Sequence, residues 1–185
     1  MKQQPRDVSA LLERLRRPPR VKFLLFWGHR LPGRGYLSQW WPSPFELSGR
    51  TFATAEHYMM WRKALLFGDQ AAAEAIARAS HPRQAKELGR TVRGFDQQRW
   101  EARRYEIVVA GSVAKFGQHP DLRQFLLGTG DRVLVEASPL DAVWGIGLAA
   151  DDPRAEDPRR WPGLNLLGFA LGEARAILTR GDGPK

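Results

Sequence analysis

Apolar and polar positions change period several times along the 185 residues, and each change predicts an element. "DVSALLERLRR" (7–17) is spaced as a short helix, which "PPR" breaks. "VKFLLFWG" (21–28) is an apolar run closed by glycine, as expected of a buried strand. "FATAEHYMMWRKALLFGD" (52–69) reads as one amphipathic helix. Thr54 is placed to cap it, Glu56 lies where the helix dipole favours an anion, and Gly68 ends it. Asp69 caps "QAAAEAIARAS"; Ser80 or His81, followed by Pro82, opens "RQAKELGR". Asp96 opens the longest helical stretch, about residues 97–117, and "HPDLRQFLLGTG" is a shorter helix stopped by Gly128 and Gly130. "RVLVEAS" (132–138) alternates and is β-branched, hence a strand, and "LNLLGFALGEARAILTR" is a closing helix. "HRLPGRGYLSQWWPSPFELSGRTF", "DAVWGIGL" and "DDPRAEDPRRWPG" read as loops and turns, and "GDGPK" as a frayed tail. Many helices with two or three short strands predict a single α+β domain, predominantly helical. Its expected boundaries are a basic arm over 1–22, the compact domain over 23–180 and a flexible tail over 181–185.

Composition narrows the chemistry. There is no cysteine, so a disulfide framework, a thiolate nucleophile and a Cys-ligated metal are excluded. The longest apolar runs fall far short of the ~20 residues a spanning helix needs, and the N-terminus lacks the apolar stretch of a secretory signal. A cytoplasmic protein is the expectation. The net charge of +9 is unevenly placed: seven basic and two acidic side chains fall within residues 1–22. A basic arm suits nucleic acid, and a mildly basic body suits an anionic ligand such as a phosphorylated nucleotide, although a solvated surface explains the same charges. Only six of the 29 basic residues are Lys. Arg keeps its proton, whereas a buried Lys can lose one and act as nucleophile or base. Lys63, set among aromatic residues, therefore stands out.

Seven helical residues separate Glu56 from Lys63, which puts both on one face, ~10 Å apart at the backbone, with Met60 between. Either they flank a ligand, or Lys63 reaches out to solvent while Glu56 simply answers the helix dipole. In "VEASPLDAVWGIG", Glu136 ends a strand, Asp141 begins a turn and Trp144 precedes Gly145, a composition suited to a base or ribose and also to a capped, packed turn. On the long helix, Trp100 can stack on a base and Arg104 bind phosphate, with Gly111 and Lys115 near the same stripe; helix packing explains the glycine equally well. The aromatic loop, with Trp40 and Phe45, packs on the core or lines a pocket for a flat ligand. His29, His57, His81 and His119 are scattered without metal-ligand spacing.

Taken together, "FLLFWG", "LSQWWPSPF", "FATAEHYMMWRKALLFGD", "RRYEIVVAGSVAKF", "LLGTGDRVLVEASPLDAVWGIG" and "GLNLLGFALGEAR" resemble, in this order, the NADAR family, which includes YbiA-type N-glycosidases. The resemblance covers roughly residues 23–178 and leaves the basic arm outside. It implies cleavage of an N-glycosidic bond. The substrate it implies first is a ribosylamino-pyrimidine phosphate of early riboflavin synthesis; the rival is ADP-ribose on guanine, for which the arm would engage nucleic acid. The resemblance carries over to Glu56 and Lys63, Trp100, Asp141, Trp144 and Gly145, and Asn165 with Gly168. Where many relatives have Ser-Asn, this chain has Ser38-Gln39, so substrate choice can differ here.

Two routes fit these residues. In one, a neutral Lys63 amine attacks the anomeric carbon to give a Schiff base, with Glu56 or Asp141 moving protons. In the other, a carboxylate assists water and Lys63 binds phosphate. The first is favoured, since Arg would serve the second equally well in so Arg-rich a chain. Neither route calls for a metal or cofactor. A binding module for NAD-like or ADP-ribosyl ligands, and a nucleic-acid binder acting through the arm, are the alternatives from other classes.

Overall fold

The computed structural model describes residues 4–30 and 32–181. Seven helices and four short strands follow in the order α1 (Val8–Leu15), β1 (Phe23–Phe26), β2 (Phe45–Leu47), β3 (Arg50–Phe52), α2 (Ala55–Leu66), α3 (Gln70–Ala77), α4 (Pro82–Arg90), α5 (Gln97–Gln118), α6 (Pro120–Gly128), β4 (Val133–Glu136) and α7 (Leu166–Arg180). The architecture is α+β and mainly helical, as the patterning predicts. The expected tail, beyond Gly181, lies outside the described residues.

Caps set most helix starts. Asp7, Asp69 and Asp96 each accept a backbone N–H of the first turn of α1, α3 and α5. His81 does so for α4 through Nδ1, ahead of Pro82. Thr54 differs from the expectation: its hydroxyl turns to His57 Nδ1 at 2.8 Å rather than to a backbone N–H. The other His57 nitrogen lies 3.1 Å from the Ala79 carbonyl oxygen, so this imidazole ties α2 to the end of α3.

Strands β1 and β4 form a two-stranded parallel sheet in which Phe23 pairs with Val133 and Phe26 with Glu136. The second sheet is a hairpin, β2–β3, in a stretch that reads as loop in the sequence. Its two-residue turn is Ser48–Gly49, both at positive φ (55° and 72°), which matches the strand twist.

Helix α2 is the centre of the molecule, packed by α3, α4 and α5. It is not amphipathic in the expected sense: residues 55–61 and Ala64 are all buried. Close approach of its neighbours depends on two glycines. A Cβ on Gly111 of α5 would stand 2.7 Å from the Tyr58 ring, and one on Gly89 of α4 would stand 2.2 Å from Met60 Sδ. A smaller apolar cluster fills the other side of the β1–β4 sheet, where Leu11 of α1, fully buried, meets Val133, Val135, Ile146 and Phe169.

Candidate active site

The C-terminal end of β4, the turn after it, and one face of α2 converge on a cleft of about 500 Å³. Helix α2 contributes Glu56, Met59, Met60 and Lys63, the i, i+3, i+4, i+7 positions that one helix face must present together. Helix α4 adds Lys86, Gly89 and Arg90; α5 adds Gln97, Trp100 and Arg104; the loop before β2 adds Ser38, Gln39 and Trp40. Glu136 and the turn residues Asp141 and Trp144 complete it.

Three carboxyls gather around the N-terminal end of α2. Glu56 is 4 % exposed and its Oε1 is sealed without a partner. Desolvation pushes its pKa up to about 7, against the pull of Lys86 and of the Trp40 side chain as hydrogen-bond donor. Glu136 is pushed further, to about 8, by desolvation and then by the nearby Asp141 and Glu56 carboxyls. Its Oε2 is likewise sealed and unpartnered. Asp141 is partly committed to the turn: its Oδ1 accepts the Val143 and Trp144 N–H groups at 2.9 and 2.8 Å.

Lys63 lies further along the same face. Its Nζ donates to the Gly89 carbonyl at 2.8 Å and lies 4.3 Å from the Phe95 ring centroid and 5.7 Å from that of Trp100. Burial, and then the charge of Arg90, lower its pKa. It is a half-buried amine on the cleft wall.

Glu56, Lys63, Asp141, Trp100, Trp144, Arg104 and Trp40, all singled out in the sequence, thus line one cleft, together with Ser38, Gln39, Met60 and Glu136. Phe45, Asn165 and Gly145 do not. Phe45 is a core residue, its ring against Phe52 and Tyr58, because hairpin pairing turns it inward. Asn165 is fully buried: it accepts the Glu136 N–H and donates to the Leu134 carbonyl, both at 3.0 Å, and so splints the end of β4. Gly145 is a close-approach position, since a Cβ there would stand 2.8 Å from the Glu136 carbonyl oxygen and 2.9 Å from that of Asp141.

Helix α4 supplies what the sequence left unmarked. Lys86 and Arg90 carry no local signal beyond charge, and only the packing of α4 on α2 brings them over the carboxyls. Lys115, by contrast, stays out of the cleft. It is fully buried, its Nζ donating to the carbonyls of Tyr36 and Ser38 at 2.7 and 2.8 Å, and so anchors the loop that carries Gln39 and Trp40. Trp40 is also held by the His29 and His81 rings, at 5.5 and 5.9 Å between centroids. Among the described residues, no three His, Asp or Glu side chains are grouped to hold a metal ion.

Residues 25–179 match the NADAR domain model. The chain is 43% identical over 161 residues to N-glycosidase R617 of Acanthamoeba polyphaga mimivirus, covering 83% of this chain and 95% of that one. It is 34% identical over 136 residues to N-glycosidase YbiA of Escherichia coli (strain K12), covering 74% and 76%. The NMR structure of E. coli YbiA superposes with a TM-score of 0.69 at 29% identity, over 91% of this chain and 92% of that one.

Proposed function

The chain belongs to the NADAR domain family, and on that premise we propose that it is an N-glycosidase, a hydrolase of N-glycosyl bonds, acting on a phosphorylated ribosyl substrate. The observation that carries this is the cleft's composition. It holds two carboxyls, Glu56 and Glu136, each with a sealed, unpartnered oxygen and a raised pKa, a desolvated amine, and tryptophans able to stack on a base. Cations on the α4 and α5 side, Lys86, Arg90 and Arg104, suit the phosphate.

Lys63 is the nucleophile in this reading. Burial and then Arg90 lower its pKa, the direction a nucleophilic amine needs, and the Gly89 carbonyl holds its Nζ on the cleft wall. Attack at the anomeric carbon breaks the C–N bond, whose electron pair goes to the base as a carboxyl proton reaches it. Ring opening then gives a Schiff base that water hydrolyses, with Glu56 and Asp141 as the candidate proton carriers. Borohydride added during turnover is expected to leave a mass adduct on Lys63, and Lys63→Ala to lose at least ~100-fold in kcat. An active Lys63→Ala enzyme would remove the covalent route and leave carboxylate-assisted water attack.

The substrate assigned first is a ribosylamino-pyrimidine phosphate of riboflavin synthesis. ADP-ribosyl-guanine in nucleic acid is the second, favoured by the exposed run Arg16, Arg17 and Arg20 in the expected basic arm. Incubation with each, followed by detection of free base or free ADP-ribose, separates them. If neither is cleaved, the enzyme reading gives way to an ADP-ribose-binding module.

A further inference from the structure

Glu136, noted in the sequence pattern of its turn, is not among the residues the motif resemblance marks. It is the last residue of β4, and its main chain is held on both sides. Its N–H goes to Asn165 Oδ1 at 3.0 Å, and its carbonyl accepts the Ile146 N–H at 2.9 Å. Gly145 closes against that same carbonyl, where no side chain fits. The main chain from which the carboxyl extends is thus held in place at the end of β4. That carboxyl lines the cleft, with Oε2 sealed from solvent and lacking any hydrogen-bond partner. Glu56, itself buried with an unpartnered oxygen, faces the same space. A buried oxygen without a partner costs free energy unless a ligand supplies one.

We infer that Glu136 is the catalytic acid of this site, giving its proton to the departing base nitrogen. The inference rests on the N-glycosidase reading above. As the C–N bond breaks, its electron pair passes to the base, the Glu136 O–H proton goes to the base nitrogen, and Glu136 is left as carboxylate. The water that supplies the new oxygen to the anomeric carbon returns a proton to Glu136. The groups facing Glu136 agree with this role. Asp141 from the following turn and Glu56 from α2 both disfavour its ionised form, while Lys86 from α4 is the cation that favours it. It therefore holds its proton at neutral pH, whereas a lone carboxyl in water has lost it. The base then sits at the floor, against the carboxyls, and the phosphate at the α4 and α5 side.

The test uses two leaving groups on one sugar: ribosylamino-pyrimidine 5-phosphate, whose amine must be protonated to depart, and 4-nitrophenyl riboside 5-phosphate, whose phenolate leaves unaided. For Glu136→Gln, kcat on the amine substrate is expected to fall about 100-fold with KM nearly unchanged, and on the nitrophenyl substrate by less than about 5-fold. The alkaline limb of the wild-type kcat profile should disappear in the variant. Glu136→Asp, which keeps the acid but retracts it, should show a smaller loss with the same dependence on leaving group, and it serves if the Gln variant fails to fold. Equal losses on both substrates, or a variant as active as wild type, would overturn the role of Glu136 alone. A wild-type protein that cleaves neither substrate would overturn it together with the N-glycosidase reading.

Discussion

Glu56 and Glu136 show what a single carboxyl contributes when its surroundings, not its type, set its chemistry. In the unfolded chain both ionise in the ordinary carboxylate range, whereas in the fold they hold protons to about pH 7 and 8. Between about pH 4.5 and 8 these two carboxyls therefore bind more protons in the folded state than in the unfolded one, and their contribution to stability falls as pH rises through that window. Each proton so retained is worth about 1.4 kcal/mol per pH unit. Urea titrations across this range are expected to show the wild type losing stability relative to Glu136→Gln, which cannot ionise, as pH rises. A constant difference between the two proteins would show that Glu136 is already ionised in the native protein. Lys115 carries the same lesson in reverse. Burial brings its pKa down to about 7, yet its two carbonyl partners make it a loop anchor and not a reagent. A perturbed pKa marks a site only where the group also meets a cleft.

At the scale of elements, local signals were legible and convergent ones were not. Asp69, Asp96 and Pro82 announce helix starts because capping is settled within four residues. The i to i+7 spacing of Glu56 and Lys63 put both on one face for the same reason. The hairpin went unread because Ser48–Gly49 is a weaker turn signal than Asn-Gly, and its strands are three residues each. Without the hairpin, the sequence leaves Phe45 open between core and pocket, and the pairing of β2 with β3 decides for the core. Lys86 and Arg90 join the site only through tertiary packing. Gly168 marks the least tolerant contact of this kind. Helix α7 lies so close to β4 that a Cβ there would come within 2.1 Å of the Leu134 carbonyl oxygen and 2.5 Å of Asn165 Oδ1. Backbone cannot yield as a side chain can. Gly168→Ala is expected to destabilise by about 3 kcal/mol or more, measurable by thermal melting, and to displace Glu136 through Asn165. Gly89→Ala meets only the flexible Met60 thioether and methylene and should cost less.

Over the whole molecule, two faces of one small sheet are put to different use. On one side the main core, built round α2, supports the cleft; on the other, α1 seals β1 and β4 with Leu11. The basic segment is thus partly integrated into the fold, with Arg6 paired with Glu173 of α7 and Gln4 accepting from Arg175 of the same helix. Leu11→Ala should cost about 2–5 kcal/mol, read as a lowered urea midpoint, because the cavity opens between α1 and the sheet. A negligible change would mean that α1 is dispensable to the domain. Among the described residues, no helix is long and apolar enough to cross a membrane.

The cleft sets buried carboxyl oxygens of Glu56 and Glu136 beneath the cations of α4 and α5, with a consequence for how the protein answers to its ionic surroundings. Dissolved electrolyte shortens the reach of exposed charges to about 10 Å at 0.1 M and less above that, but scarcely touches groups shut away from solvent. Added potassium chloride should therefore slow the capture of a phosphorylated substrate, lowering kcat/KM, while saturated turnover stays level. The exposed and the buried charges of one cavity would in this way divide the labour between arrival and reaction.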